Sequence, residues 1–492
     1  MGDIKKQDFA NRASYVISGM MLGDEEVSLD ALANVLSWVS ATDTRLYMLQ
    51  NHQLRKELEE SLNEFIVSGK AVSELCLVLS ALFKYDNHTD MDFSILKLLK
   101  RALFPRVIRF VSGALCKSST SNESKPRVSS EITSIYDFSR SSFQLKWRSR
   151  VSVIDCALLA LVDISSVQSI LFKMDDKLES DLVEDCISNS CQTFCSFVKH
   201  LRTEKEKDIC FQTETQWAWQ LMILSQILEN YSSVNQWVGY FPDSFFIEII
   251  ETTSICLSHL AQGEVWVQSV LSSCLTIAAN ISHNNDSACK ALHGDPLQKL
   301  YDMFCTVDKL QLSKSMTGTK ACGRTIEFDF TLLLLSILTN LVERDETNRA
   351  QLGESGIDPI MNILIKCIPM DTLTTLNSEN TGNLEFGWTA EFLTTSSHVC
   401  LLLGCLMRNN ESNARSIQSL IPGKSVTLLV HVLKAFLSFQ EDAGVLSEDI
   451  KKATMDMILE IRQIEAPSSV KCVPAKRPQD QNATTSKKRV KN

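Results

Sequence analysis

The chain has 492 residues, 44% of them hydrophobic, with only 10 prolines and 17 glycines, a composition that excludes a largely disordered protein. No run approaches the roughly 18 apolar residues that a membrane span needs, and the N-terminus lacks the apolar core of a signal peptide, so we expect an intracellular protein without a membrane partner. Its 16 cysteines are then expected to be reduced thiols, since none forms a C-x-x-C pair.

The net charge of −10 is divided unevenly along the chain. From Ala466 to the end, seven basic residues stand against Asp480 alone, so this tail carries +6 and the rest of the chain −16. A body of that charge is repelled by bare DNA, because neutralisation of phosphates by Lys and Arg dominates nucleic-acid affinity. We therefore expect no direct contact with nucleic acid, and any contact with chromosomes should pass through a protein.

Apolar residues at helical spacing predict helices along the body of the chain, and no segment alternates as a strand would. In residues 1–115 such stripes fall in four segments, 27–40, 54–69, 71–83 and 93–115, the last broken by Pro105. The polar, Ser-rich segment 117–134 is predicted to be a loop.

Four later helices have predicted inward faces. In chain order these are Ile154, Leu158 and Leu161; Trp217, Leu221, Leu224 and Leu228; Val426, Leu429, Val430, Leu433 and Leu437; and Ile450, Met457, Ile461 and Ile464. Glu448 and Asp449 suit the first turn of the last helix, because they complement the positive end of its dipole. Pro467 is expected to end it.

The strongest helical pattern lies between these segments, in residues 328–342. Five apolar residues there fall at i, i+4, i+7, i+8 and i+11 and so share one face of a helix: Phe330, Leu334, Ile337, Leu338 and Leu341. Flanking leucines predict a helix enclosed by neighbours until Val342. Beyond it we expect a polar turn in water and a short segment opened by Asn348 and closed by Leu352.

The same pattern recurs at a long, nearly constant period. Sixty residues earlier come Val270, Cys274, Ile277, Ala278 and Ile281, with Asn280 matching Asn340. Sixty-five residues later come Val399, Leu402, Leu403 and Leu406, with Thr395 as the one polar exception. A weaker copy begins at Leu224, with Leu228 placed opposite Leu341 and Asn235 opposite Asn348.

Repetition of one helix and one polar turn is typical of an α-solenoid, in which each unit buries its face against adjacent units. The fold class predicted is therefore all-α, a HEAT/armadillo-like α-solenoid with irregular insertions. The period exceeds the roughly 40 residues of a two-helix repeat, so insertions are expected at 309–325 and 371–388. The predicted organisation is an N-terminal segment 1–23, the solenoid 24–465 and a disordered basic tail 466–492.

No motif predicts catalysis, a metal site or a cofactor. The run Pro422-Gly423-Lys424-Ser425 ends like a phosphate loop, but the first glycine that the motif requires would fall at Gln418. Cys186, Cys191 and Cys195 lack the paired spacing of a zinc site. His398 and His431 are interpreted as packing or surface residues, and the protein is predicted not to be an enzyme.

The polar turns are the candidate partner-binding surface, since solenoids bind partners along such ridges. The candidate residues, expected to be exposed, are Glu343, Arg344, Asp345, Glu346, Asn348 and Arg349, with Arg408 on the equivalent turn at 408–413 and Lys434 on the helix after it. An alternative stays open for individual residues: Asn340 and Asn348 could cap helices or hold turns together, and the charges could merely solvate them.

The tail has the two-cluster spacing of a bipartite nuclear import signal. Its basic residues are Lys476 and Arg477, then Lys487, Lys488, Arg489 and Lys491 after a nine-residue spacer. Basic side chains at this spacing can pair with the acidic grooves of an import receptor. The tail therefore predicts a nuclear protein, against the alternative of a basic tail without function.

Four blocks of this sequence resemble the C-terminal domain of the wings apart-like family of cohesin release factors. In chain order they are ILENYSSVNQWV, LTIAANISHNNDS, LSILTNLVERDETNRAQL, and LLLGCLMRNNESNARSIQSLIP followed by LLVHVLKAFLSF, spread over residues 217–439. The Phe-Gly-Phe docking motif found in larger family members does not occur in this sequence.

The resemblance implies a HEAT-repeat domain that binds the cohesin ring subunits and their HEAT-repeat accessory subunits. It implies removal of cohesin from chromatin, and hence negative regulation of sister chromatid cohesion during the cell cycle and mitosis, by a chromatin-associated nuclear protein. The alternative is a general armadillo-type adaptor for transport or cytoskeletal partners.

Overall fold

The computed structural model describes residues 3–22, 25–68, 71–83, 107, 110–111, 152–174, 180–205, 216–260, 265–316, 326–368 and 389–465. Within these ranges all regular structure is helical, which confirms the all-α prediction. The predicted Ser-rich loop 117–134, the insertion 371–388, most of the helix at 93–115 and the basic tail lie outside the described residues.

The chain folds into eighteen described α-helices and two short 3₁₀ helices. The α-helices are α1 Asp3–Leu22, α2 Glu25–Ser40, α3 Thr42–Gln50, α4 His52–Ser68, α5 Val72–Phe83, α6 Val153–Met174, α7 Ser180–Lys205, α8 Gln216–Ser232, α9 Asp243–His259, α10 Val265–Ser282, α11 Asp286–Ala291, α12 Asp295–Met316, α13 Ile326–Arg344, α14 Glu346–Cys367, α15 Ala390–Met407, α16 Glu411–Leu420, α17 Thr427–Asp442 and α18 Glu448–Glu465. The 3₁₀ helices are Asn235–Tyr240 and Pro422–Lys424.

The first five helices pack on one another and lead into the solenoid. Helix α1 packs against α2 and α4, and α2 against α5, which in turn packs on α6. Much of the predicted N-terminal segment 1–23 is thus helix α1, which buries Ala10, Ala13, Ile17 and Met20 in the same apolar core.

From residue 235 onward the chain repeats a unit of one short helical segment and two longer helices, and in α14 the short segment and the first longer helix are continuous. The third helices of these units continue a column that α6 and α8 begin, in the order α6, α8, α10, α13, α15 and α18, each against the next. We call all six the third helices. The longer helices before them, α7, α9, α12 and α14, cover one side of this column. This is the HEAT/armadillo-like α-solenoid that the sequence predicts.

The column forms because each third helix carries the repeated apolar face. In α13, Phe330, Leu334, Ile337, Leu338 and Leu341 are all at most 2% exposed. The matching residues of α10 and α15 are buried too, and Thr395, the polar exception, is buried with them. Full burial of one Leu or Ile side chain stabilises the fold by roughly 1.5–3 kcal/mol, so each face is a substantial part of its unit's stability.

Three predicted details of the repeats are wrong. Residues 309–316, predicted as part of an insertion, continue helix α12. The short segment expected to close at Leu352 is the start of α14, which runs on through Pro359 to Cys367. Ile450, predicted to face inward, is 46% exposed because it lies in the first turn of α18, and Ile458 is buried on that helix instead.

Helix α15 is long and apolar enough to cross a membrane by length and composition, but 67% of it is buried inside the protein. It packs against α13, α14, α17 and α18. Such burial is what a helix near the centre of a solenoid requires.

Candidate functional site

Each polar turn begins the next unit with a capping side chain. Asn285, Asp345 and Asn410 occupy the N-caps of α11, α14 and α16, at intervals of 60 and 65 residues along the chain. Each side-chain oxygen accepts a hydrogen bond from the backbone N–H three residues on, at 3.2, 2.9 and 3.0 Å. An N-cap of this kind typically stabilises a helix by about 1 kcal/mol, so the turns have one repeated geometry.

Two asparagines join each turn to the preceding unit. Asn348 is fully buried and donates from Nδ2 to the carbonyl oxygen of Cys289 at 2.9 Å, in the unit before. Asn413, 4% exposed, donates to the carbonyl oxygen of Arg349 at 3.0 Å and to that of Leu406 at 3.1 Å. Buried amides that satisfy carbonyls across a repeat boundary fix the spacing of the units.

Arg349 is bound into the same boundary. Its guanidinium donates to the carbonyl oxygens of Val342 at 3.1 Å, Glu343 at 3.2 Å and Arg408 at 2.9 Å. The first two carbonyls belong to the end of α13. The third belongs to Arg408, the C-cap residue of α15, which follows α13 in the column. Arg349 therefore satisfies helix C-terminal carbonyls that would otherwise be left without donors.

The predicted exposure of the candidate residues is therefore wrong for Asp345, Asn348 and Arg349, which are buried. Each uses its polar atoms to cap a helix or to hold a turn. For Asn348 and Asn340 this is the alternative that the sequence left open. Glu343, Arg344 and Glu346 are exposed as expected, and Arg408 is partly exposed.

Ion pairs run from turn to turn along this side of the solenoid. Arg344 lies 3.3 Å from Asp286 and also donates to Asn284 of the preceding turn. Arg408 lies 3.6 Å from Glu343 and 2.8 Å from Glu460 of α18. Burial disfavours the charged form of Arg408, but the hydrogen bond and charge of Glu460, with Glu343, raise its pKa overall.

We call the exposed residues of these turns the turn ridge. Its members are Asn284, Asp286, Glu343, Arg344, Glu346, Arg408, Asn409 and Glu411. Asp286, Glu346 and Glu411 are equivalent, because each is the first residue of its unit's opening helix. The turn ridge thus presents one equivalent exposed carboxylate per unit, with Glu343 in addition, beside partly paired arginines.

Lys434 lies apart from the turn ridge. It is exposed on α17, beside His431 of the same helix and near Arg462 of α18. Burial lowers the pKa of His431, and the positive charges of Lys434 and Arg462 lower it further. The six predicted import-signal residues of the tail lie outside the described residues.

A second set of asparagines joins the stacked third helices. The sequence matched Asn280 with Asn340 but did not predict the serines that they bind. Asn230, Asn280 and Asn340 each donate to a serine of the preceding third helix: Ser165 at 3.0 Å, Ser232 at 3.1 Å and Ser282 at 3.0 Å. The predicted equivalence of Asn280 and Asn340 in successive units is thus correct. The weaker copy is misplaced by three residues, because Asn230 and not Ile227 corresponds to Asn340.

Asn235, predicted to match Asn348, is exposed at the start of a 3₁₀ helix. Its side chain therefore has no part in a boundary like that of Asn348.

Burial raises the pKa of the Cys256 and Cys405 thiols to about 12, so neither is a thiolate at neutral pH. No group of three or more His, Cys, Asp or Glu side chains in the described ranges is placed to hold a metal ion. The turn ridge, which repeats from unit to unit, is the candidate site for a protein partner.

The chain is similar to two curated proteins of Arabidopsis thaliana, and no family model matches it. It is 23% identical over 215 residues to Wings apart-like protein 1, an alignment that covers 37% of this chain and 23% of that protein. It is 26% identical over 154 residues to Wings apart-like protein 2, covering 27% of this chain and 18% of that protein. The alignments span less than a quarter of each relative.

Solved structures with a similar path of the chain have low overall scores. An engineered protein matches with a TM-score of 0.35 and 12% identity, covering 92% of this chain and 98% of its own. A structure concerned with a phosphorylation switch between cadherin and beta-catenin matches with a TM-score of 0.40 and 13% identity, covering 92% of this chain and 77% of its own.

Proposed function

We propose that this protein is a wings apart-like regulator that binds cohesin and promotes its release from chromatin, and so opposes sister chromatid cohesion. The observation that carries the proposal is the similarity to the two Wings apart-like proteins. Blocks such as LSILTNLVERDETNRAQL, which resemble that family, form α13, the following turn and the start of α14.

The proposed mechanism is protein contact without catalysis. A stack of helices whose boundaries are fixed by Asn348, Arg349 and Asn413 holds the turn ridge at a defined spacing. We propose that the cohesin ring subunits and their HEAT-repeat accessory subunits bind this ridge. Its exposed charges favour specificity and fast association, because charged rims affect these more than they affect affinity.

Residence in the nucleus on chromatin is part of the same proposal. The acidic body disfavours direct binding to DNA, so contact with chromatin would pass through cohesin. Entry into the nucleus would depend on an import receptor that binds the basic tail.

The proposal is tested by recovering cohesin from nuclear extract on the tagged full-length chain. The variant Glu346→Gln/Glu411→Gln removes two equivalent carboxylates of the turn ridge while keeping side-chain size. We expect it to recover several-fold less cohesin than the unaltered chain. The matched control Glu184→Gln/Glu354→Gln removes two exposed carboxylates elsewhere and is expected to recover cohesin normally.

Depletion of the protein in cells provides the functional measurement. We expect the amount of chromatin-bound cohesin to rise after depletion, because release is slowed. Unchanged chromatin-bound cohesin would contradict the proposal. Recovery of transport or cytoskeletal proteins in place of cohesin would instead support the general armadillo-type adaptor.

A further inference from the structure

The last two helices form an antiparallel pair at the C-terminal end of the described solenoid. An ion pair joins Lys451 near the start of α18 to Glu441 near the end of α17, at 3.4 Å, and shows their register. It places the start of α17 beside the end of α18, so that His431 and Lys434 lie near Arg462. This register brings side chains of both helices onto one outer surface.

That surface combines exposed apolar side chains with charge. Glu448 and Asp456 are exposed one turn on either side of Lys452, and positive charge prevails at the other end, near Arg462 and Lys434. On α18, Met455, Leu459 and Arg462 stand at i, i+4 and i+7 and so share one face over about 10 Å. Met455 is 41% and Leu459 51% exposed. Lys452 is exposed beside them, and Lys434 of α17 extends the surface across the helix pair. We call these five residues the C-terminal strip.

The cations of the C-terminal strip lack partners. Among the described residues, Lys434, Lys452 and Arg462 make no hydrogen bond or ion pair from their side chains, whereas Lys451 next to them is paired with Glu441. Nδ1 of His431, between Lys434 and Arg462, is buried and also without a hydrogen-bond partner. The positive charges of Lys434, Lys452 and Arg462 are therefore available to a partner.

We propose that the C-terminal strip is a docking site for an acidic amphipathic segment of a partner protein. Met455 and Leu459 receive apolar side chains of that segment, and Lys434, Lys452 and Arg462 pair with carboxylates on either side of them. This site is separate from the turn ridge, and the inference does not depend on the proposed function.

Charge argues against two other occupants. The chain's own tail, residues 466–492, carries +6 and would be repelled by the strip. A second copy pairing through the same surface would bring Lys434 and Arg462 against like charges, which is destabilising. An acidic amphipathic segment can pair with the cations and cover the exposed apolar side chains at the same time, as in helix-in-groove recognition.

The test measures binding of labelled peptides to the full-length chain by fluorescence anisotropy. The probe is a designed helical peptide with leucines at i, i+4 and i+7, flanked by glutamates. Two comparison peptides have the glutamates replaced by lysine or the leucines replaced by serine. We expect the acidic amphipathic peptide to bind at least tenfold more tightly than either, and its binding to weaken with salt.

Two variants separate the contributions of charge and apolar contact. Lys434→Glu/Arg462→Glu and Met455→Ser/Leu459→Ser should each weaken binding of the acidic peptide about tenfold. The control Lys5→Glu/Lys290→Glu makes the same charge change at exposed lysines elsewhere and should leave binding unchanged. Circular dichroism checks that every variant is folded.

Three results would overturn the inference. The first is equal binding of the acidic peptide and its lysine-substituted form. The second is binding by a duplex oligonucleotide that is lost in Lys434→Glu/Arg462→Glu. The third is a dimer in sedimentation measurements that dissociates in Met455→Ser/Leu459→Ser, since the surface would then be a contact between copies of this chain.

Discussion

The side-chain amide of Asn413 crosses a repeat boundary and donates to the carbonyl oxygen of Arg349 at 3.0 Å. Asn348 makes the equivalent bond to Cys289, one unit earlier, at 2.9 Å. Asn413 can reach this position because Gly353 of α14 has no side chain: a Cβ built there would lie 2.0 Å from Oδ1 of Asn413. Close helix contact at a glycine and a buried amide are thus parts of one arrangement.

Gly353→Ala should destabilise the protein by about 1–3 kcal/mol, because the added methyl group displaces a hydrogen-bonded buried amide. Gly→Ala within a helix is otherwise stabilising by roughly 0.5–1 kcal/mol. A loss of stability would therefore show that the contact with Asn413 outweighs the gain in helix propensity. The free energy of unfolding is measured in urea by far-UV circular dichroism. Glu354→Ala, at the exposed neighbouring position of α14, controls for helix propensity.

The double variant Gly353→Ala/Asn413→Ala tests the contact directly. Asn413→Ala alone should cost about 1–3 kcal/mol, because the carbonyls of Arg349 and Leu406 lose a donor. Removing Asn413 also makes room for the methyl group at residue 353, so the two losses should not add. Additive losses would show that the two residues do not interact.

Arg349→Lys is expected to destabilise the protein by about 2–4 kcal/mol although it keeps the positive charge. A lysine ammonium cannot reach the three carbonyls that the planar guanidinium binds. Arg344→Lys, at an exposed residue of the turn ridge, should change stability by less than about 0.5 kcal/mol. Equal effects of the two variants on urea unfolding would contradict a structural role for Arg349.

The stacked helices could be predicted from the sequence because burial of one face leaves a strong 3.6-residue period. The same period cannot establish register. A shift of three residues rotates a helix by about 300°, close to a full turn, so Leu228 could be aligned with Leu341 when its true counterpart is Leu338. The Asn230–Ser165 bond identifies the register only in three dimensions.

The burial of Asn348, Asn413 and Arg349 was missed because polar residues in a turn are usually solvated. A signal was nevertheless present. The turns read Asp345-Glu-Thr-Asn348 and Asn410-Glu-Ser-Asn413, a capping residue followed three positions later by asparagine. The partner of the second asparagine lies in another unit, and local sequence does not reveal it.

Acidification should destabilise the protein partly through His398. This side chain is partly buried against Phe436, with ring centroids 6.4 Å apart, and Nδ1 lies 2.9 Å from the carbonyl oxygen of Thr394. Burial lowers its pKa below 6.5, although the bond to Thr394 opposes the shift. The unfolded state therefore binds more protons, and stability present above about pH 6.5 is lost as the pH falls through the folded-state pKa.

The melting temperature, measured from about pH 7.5 to 5.5, should fall less steeply for His398→Gln than for the unaltered chain. Binding of one proton changes the free energy of unfolding by at most about 1.4 kcal/mol per pH unit. His431 shifts in the same direction but is present in both proteins, so the comparison isolates His398. Parallel pH profiles would show that His398 has the same pKa in the folded and unfolded states, which would contradict the shift.

The basic tail is predicted to be sufficient for nuclear import. Residues 466–492, fused to a fluorescent reporter too large to diffuse through the nuclear pore, should concentrate it in nuclei. Lys487→Ala/Lys488→Ala/Arg489→Ala and Lys476→Ala/Arg477→Ala should each reduce the nuclear-to-cytoplasmic ratio several-fold, because a bipartite signal needs both clusters to pair with acidic grooves of the receptor. Lys487→Arg/Lys488→Arg preserves the charge and should preserve import. A reporter that stays cytoplasmic with the intact tail would contradict the prediction. It would show that the +6 charge of this segment does not direct import.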